Sequence, residues 1–209
     1  MKKWLKNEWF NITSHYLDDA ISIDKLWKEL EHKYEHKSRH YHNLTHIYKM
    51  LTQLEEVEMK ISDNHALKFT IWFHDVIYKS TKNDNEEKSA DFAINRMKSF
   101  NFDKKRIEII ENLIISTKKH QLILHDNTDN ALLLDLDLSI LGTDWETYKK
   151  YTQNIRKEYA IYPNFIYKKG RKKVLEHFLE RKTLYFTDYH KTLFEQQAKE
   201  NLKKEIELL

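Results

Sequence analysis

Two glycines and one proline in 209 residues leave this chain almost without the turn chemistry that β-hairpins and strand–helix connections need. A fold that depends on tight turns is therefore disfavoured, and an all-α architecture is the expectation. The length suits one sizeable core, and no repeat, low-complexity stretch or evident boundary interrupts residues 1–209, which read as a single domain.

Periodicity points the same way. Apolar residues at helical spacing predict helices near 22–36 (Leu26, Leu30, Tyr34) and 43–59 (Leu44, Ile47, Leu51, Leu54). Residues 63–79 start at Asp63, a favourable N-cap, and carry apolar side chains almost all round the axis, which predicts a central buried helix. A helix over about 84–99 and another capped by Asp103 follow. NALLLDLDLSIL (130–141) alternates like a strand but stops at Gly142 like a helix, and the helical reading is preferred. Thr143 and Glu146 stand in capping-box spacing before a helix bearing Tyr148, Tyr151, Ile155 and Tyr159, with Pro163 at its end. Two amphipathic helices, 168–181 and 188–208, close the chain, with Val174, Phe178, Leu193 and Ile206 expected to be buried.

Composition narrows the function classes. A charged fraction of 33% beside 40% hydrophobic residues fits a folded, soluble domain rather than a disordered one. The absence of cysteine excludes a disulfide framework and a thiolate zinc site. MKKWLKNEWF has a basic start, but Lys6, Asn7 and Glu8 break it before an apolar stretch develops, and no run approaches the ~18 apolar residues of a membrane span. A cytoplasmic protein with no membrane partner is expected. The net charge of +3 is too small to argue for nucleic acid by itself.

The chemistry-bearing residues begin with WFHDVIY, where His74 and Asp75 interrupt the most apolar part of the chain. A carboxylate there needs compensation by a hydrogen-bonded core partner, a salt bridge or a metal ion. The second His-Asp pair, His125-Asp126, runs into NTDN and reads as a solvated turn. RHYHNLTHIYKML places His42 and His46 one helical turn apart, so both can hold one ion, or one can be a ligand while the other faces substrate, or either can be a surface histidine. In LDLDL, a helix would bury Asp137 among Leu133, Leu134, Ile140 and Leu141 and give Asp135 a slightly less apolar setting. The two point ~200° apart and cannot both meet one ion.

The order His46, His74-Asp75 and then a distant Asp in an apolar helix resembles the HD-domain superfamily of metal-dependent phosphohydrolases. The likeness is closer to an uncharacterised bacterial branch, the predicted metal-dependent HD-superfamily phosphohydrolases. It is carried by RHYHNLTHIYKML, WFHDVIYKSTKNDNEEKSA, STKKH, LDLDLSILG, YTQNIRKEY, GRKKVLEHFLERKTLY and AKENLKKEIELL, from about residue 39 to 209. Residues before about 38 match no motif. The resemblance implies an all-α, HD-domain-like helical bundle with one divalent metal ion held by His46, His74, Asp75 and Asp137. Here Leu136 precedes the last aspartate where the family has Ala, so Asp135 stays open as the alternative.

Two imidazoles and two carboxylates suit Mn, Fe, Ni, Co, Zn or Mg and select weakly among them. The activity implied is hydrolysis of a phosphate ester or phosphoanhydride, in a nucleotide or small phosphorylated metabolite, by attack of metal-bound water at phosphorus. Arg39, Lys118 and His120 lie where the family-like segments put cations that absorb charge on the substrate, His42 is a candidate with Arg39 and Lys118 for binding it, and each is equally readable as a solvated group. Glu86 in NDNEEKSA is a candidate for positioning the water, although an acidic helix start explains it through the dipole. A different class of function rests on YKKGRKK (167–173), a basic patch with one aromatic. It would suit a non-catalytic, metal-stabilised nucleic-acid or nucleotide-binding protein, and a solvated helix start accounts for it more simply.

Overall fold

A computed structural model describes residues 1–57 and 61–209. Among these residues the fold is all-α, with no strand. By internal contacts the chain divides into two compact units, Met1–Asn130 and Ala131–Leu209, where the sequence suggested no boundary.

The first unit contains α1 (Lys2–Thr13), α2 (Ala20–Tyr34), α3 (Leu44–Glu56), α4 (Asn64–Phe73), α5 (Asn85–Ser99) and α6 (Lys104–Thr117). Its core is aromatic. The Trp9 ring of α1 meets Phe69, Trp72 and Phe73 of α4 edge-on at 6.1, 5.6 and 6.0 Å. Such pairs add roughly 0.5–1.5 kcal/mol beyond the area they bury. The Tyr34 hydroxyl donates to the Trp72 carbonyl at 2.9 Å and so joins α2 to α4. Asp63 caps α4 through the Ala66 N–H and also receives a forked hydrogen bond from Arg106 of α6. Asp103 caps α6 through Lys105 and Arg106. The α1 helix was not foreseen. The expected end of the 43–59 helix at residues 58 and 59 lies outside the described residues.

The central helix expected over 63–79 stops at Phe73, so His74 and Asp75 lie at its C-terminal end and not in mid-helix. Competition for the backbone explains the stop. Arg39 takes the carbonyls of Asp75 and Val76, Ser89 of α5 exchanges hydrogen bonds with the backbone of Ile77, and Asn85 does the same with Lys79. Those groups are unavailable to an i→i−4 ladder.

α7 (Thr128–Leu138) runs from the first unit into the second, and a 3₁₀ turn over Ser139–Gly142 follows it, as the helical reading of LDLDL requires. The second unit adds α8 (Trp145–Glu158), α9 (Asn164–Leu179) and α10 (Asp188–Leu208). The α8 cap is Asp144, which accepts from the Thr147 N–H at 3.0 Å, one residue past the expected Thr143 box. Pro163 does not end α8 but precedes α9 as its N-cap. The expected interior of the last two helices is partly wrong: Val174 and Leu193 are 46% and 53% exposed, and Phe178 and Ile206 are half-buried. Leu175, Ala198 and Leu202 are buried instead. The inward face also carries charge, since Arg171 of α9 forks onto Glu205 of α10 at 2.8 and 3.0 Å, and Glu205 accepts a short hydrogen bond from the Tyr148 hydroxyl. An apolar stripe alone therefore misses the register of these helices.

Candidate metal centre

His46 sits in the first turn of α3, whose N-cap Asn43 accepts from Thr45 N–H at 2.8 Å. Burial of Leu44, Ile47, Met50 and Leu51 fixes the rotation of that helix, and His46 is carried inside with them. His74 is the C-cap of α4, still in helical conformation, with its N–H bonded to the Thr70 carbonyl at 2.8 Å. Asp75 follows, in the loop held by Arg39. Three elements therefore aim one donor each at a common point.

The distances define that point. His46 Nε2 lies 3.3 Å from His74 Nε2, His74 Nε2 lies 3.2 Å from Asp75 Oδ2, and His46 Nε2 lies 3.9 Å from Asp75 Oδ2. The circle through three atoms so spaced has a radius of about 2.0 Å, the length of a bond from a divalent transition metal to imidazole nitrogen or carboxylate oxygen. The tautomer adds a second argument. His74 Nδ1 is 2.9 Å from the Ile71 carbonyl, an acceptor only, so this nitrogen carries the proton. In the neutral ring Nε2 is then a lone pair facing a carboxylate and another imidazole nitrogen, an arrangement that a cation relieves. A backbone carbonyl that fixes the tautomer of a ligating histidine is the usual second contact of such a ring. The C-terminal end of α4 also favours positive charge.

Electrostatics agree. Burial acts to raise the Asp75 carboxyl, but His74, His42 and His46 outweigh it and hold the group well below the ordinary carboxylate range. His42 joins the rim: its ring stacks on Tyr78 at 4.2 Å and meets Tyr41 edge-on at 5.0 Å. Glu86, in the first turn of α5, is half-buried and raised chiefly by burial, with Asp75 adding and Lys118 opposing.

The remaining expected cations behave differently from one another. Lys118, at the exposed end of α6, makes a short ion pair with Glu87, which raises the lysine and lowers the glutamate. His120 stands just beyond it at φ 46°, a left-handed conformation that turns the chain away from α6. Arg39 was expected to face substrate, but its guanidinium is turned inward. Nη1 donates to the carbonyls of His42 at 2.9 Å and Asp75 at 2.6 Å, and Nη2 to that of Val76 at 2.9 Å, with the residue only 9% exposed. Both terminal nitrogens thus hold the backbone of the ligand loop.

Asp135 and Asp137 reverse their expected burial. Asp135 is fully buried, and its carboxylate accepts from Phe186 N–H, Thr187 N–H and the Thr187 hydroxyl at 2.7–2.8 Å. It closes the entry to α10. Asp137 is half-buried and, like Asp135, belongs to the second unit, whereas the three gathered donors belong to the first. Sequence reasoning missed Asn85 and Ser89, which brace the loop after Asp75. Their signal lay in NDNEEKSA, among the acids of the helix start.

No family model, curated protein or solved structure matches the chain.

Proposed function

We propose that the chain is a metal-dependent phosphohydrolase that binds one divalent ion through His46, His74 and Asp75 and acts on a small phosphorylated substrate. The observation that carries the reading is the convergence of three donors, from α3, the end of α4 and the following loop, on a point about 2.0 Å from each. The donor set is nitrogen and oxygen without sulfur, which suits an open catalytic site better than a closed structural one. When bound, the ion supplies Lewis acidity and an activated water for attack at phosphorus.

The chain's own residues fill the other roles. Glu86, kept protonatable by burial and by Asp75, exchanges a proton with the attacking water or the leaving oxygen. Lys118 and His42 offset charge on the phosphoryl oxygens, and His120 lies on the segment next to Lys118. The resemblance alone names Asp137 as a further ligand, and Asp135 is engaged with the backbone at Phe186 and Thr187.

The test is a screen of the protein, loaded in turn with Mn, Fe, Ni, Co, Zn and Mg, against a panel of phosphorylated metabolites. Release of phosphate should depend on the ion, stop with chelator and be absent in Asp75→Ala while the circular dichroism stays helical. Turnover that survives both chelation and that substitution would refute the reading.

A further inference from the structure

Positive charge is concentrated in one stretch of the second unit. Residues 149–173 hold nine Lys and Arg against one Glu, while the chain as a whole carries only +3. The same stretch shows apolar side chains to solvent: Ile161 is 71%, Phe165 74% and Ile166 46% exposed, all within the turn between α8 and α9 and the first turn of α9. On α9, Phe165, Ile166, Lys169 and Lys173 stand on the face opposite the buried Leu175 and Arg171, whose side chain is mostly covered.

The protruding side chains are presented on a fixed frame. Arg156 of α8 donates to the carbonyls of Tyr159 and Tyr162 at 2.8 and 3.0 Å and to Asn164 Oδ1 at 3.1 and 2.7 Å, so the whole turn is tied to one guanidinium. That guanidinium also lies 4.7 Å over the Tyr167 ring, and Tyr159 meets Tyr162 and Tyr167 at 6.0 and 6.1 Å. The tyrosines of the segment pack on one another and on Arg156, while two aliphatic side chains and one phenyl ring point out.

Against the expectation from sequence that the chain has no membrane partner, we propose that this surface docks on an anionic lipid bilayer, with Ile161, Phe165 and Ile166 entering the headgroup layer and the lysines of α9 meeting lipid phosphates. An apolar tip ringed by long cationic side chains is the pattern of an interfacial anchor, and each lysine near an anionic leaflet strengthens binding about fivefold. No helix among the described residues is long and apolar enough to cross a membrane, so the contact is peripheral. A nucleic acid fits less well, because Phe165 is the one ring among the three protruding apolar side chains, the two isoleucines cannot stack on bases, and Tyr159, Tyr162 and Tyr167 are half-buried against one another and Arg156. A second copy of the chain would bring two strongly basic faces together. The proposal is independent of the metal centre.

Co-sedimentation of the full chain with vesicles tests it. Binding is expected to phosphatidylcholine vesicles containing phosphatidylglycerol and not to phosphatidylcholine alone, and it should weaken as salt rises. Ile161→Ser with Phe165→Ser should reduce it about tenfold or more, and Lys169→Glu with Lys173→Glu should abolish it. Helicity should stay unchanged in both, since all four side chains are exposed. Absent or equal binding to the two vesicle types, or full binding by either variant, would overturn the proposal. So would retention of a single-stranded oligonucleotide, or a concentration-dependent dimer abolished by Phe165→Ser, if either occurs without vesicle binding.

Discussion

Arg39 Nη1 donates to the backbone carbonyl of Asp75 at 2.6 Å, while the carboxylate of the same Asp75 lies 3.2 Å from His74 Nε2. One residue is thus gripped through its main chain and aimed through its side chain. The guanidinium, 5.0 Å over the Tyr34 ring, reaches three carbonyls from two nitrogens held in one plane, a geometry that the single nitrogen of a lysine does not reproduce.

Arg39→Ala should therefore weaken metal binding about 10–100-fold, the usual cost of losing a group that orients ligands. Arg39→Lys should restore little of it. Competition with a chromophoric chelator reads the affinity, and methylguanidinium added to the alanine variant should recover part of it. Wild-type affinity in both variants would confine Arg39 to folding.

The ion itself should stabilise the fold. At a free concentration ~100 times its Kd, a ligand of the native state adds about 2.7 kcal/mol, which for a chain of this size is a Tm increase of roughly 5–10 °C. Asp75→Ala should lose both the bound metal, by elemental analysis, and the Tm decrease that chelator causes in the wild type. A chelator-sensitive Tm retained in that variant would place the ion elsewhere.

Lys118 offers the opposite case to Arg39. Its pair with Glu87 is exposed, and such pairs add little to folding. Lys118→Ala should leave Tm and metal content unchanged while lowering kcat/KM about tenfold or more on the substrate that the screen finds. Unchanged kinetics would remove it from the site.

How much of this was legible in the sequence depended on what fixes each feature. Scarcity of glycine and proline made the helical class readable, and Asp63 and Asp103 marked their helices because a side-chain cap is a local interaction. The gathering of His46, His74 and Asp75 is long-range, and only the spacing within a family-like pattern hinted at it. The inward turn of Arg39 was hidden, because a solvated arginine and one that grips three carbonyls have the same letters. Asp135 and Asp137 were misjudged for a related reason. Counting apolar neighbours along one helix ignored Phe186 and Thr187, which bury Asp135 from fifty residues away by offering it N–H donors.

That burial has a pH signature. Asp135 is pushed up to about 6 by desolvation and His190, 3.7 Å away, is pushed down to about 4 by the same cause. The contact is then not an ion pair: between those values both groups are neutral, above them only the aspartate is charged, and below them only the histidine. From pH ~4 to ~6 the native state holds the Asp135 proton more tightly than the unfolded chain, so this group lowers stability as pH rises. His190 acts oppositely, because the unfolded chain takes up its proton up to pH ~6.5. The two slopes oppose each other in the wild type. Denaturant titrations should show stability falling with pH in His190→Gln and rising with pH in Asp135→Asn, each differing from wild type by at most about 1.4 kcal/mol per pH unit. Identical slopes in all three proteins would contradict the assignment.

The two glycines should respond to alanine in opposite directions. Gly142, in the 3₁₀ turn after α7, has a negative φ, so it is not there as a left-handed helix stop. It is there because α10 passes close by: an added Cβ would stand 2.7 Å from the Phe194 carbonyl oxygen and 2.8 Å from its Cα, both backbone atoms that cannot swing aside. Gly142→Ala should force the turn and α10 apart, a form of overpacking that costs about 1–3 kcal/mol or more. Gly170 lies inside α9 with nothing within 4 Å of the same added atom, and there alanine only removes the helix penalty of glycine. Gly170→Ala should raise stability by about 1 kcal/mol. Denaturant midpoints measured on the two single variants and the double would separate the effects. Equal tolerance at both positions would mean that α10 does not lie against Gly142 in solution.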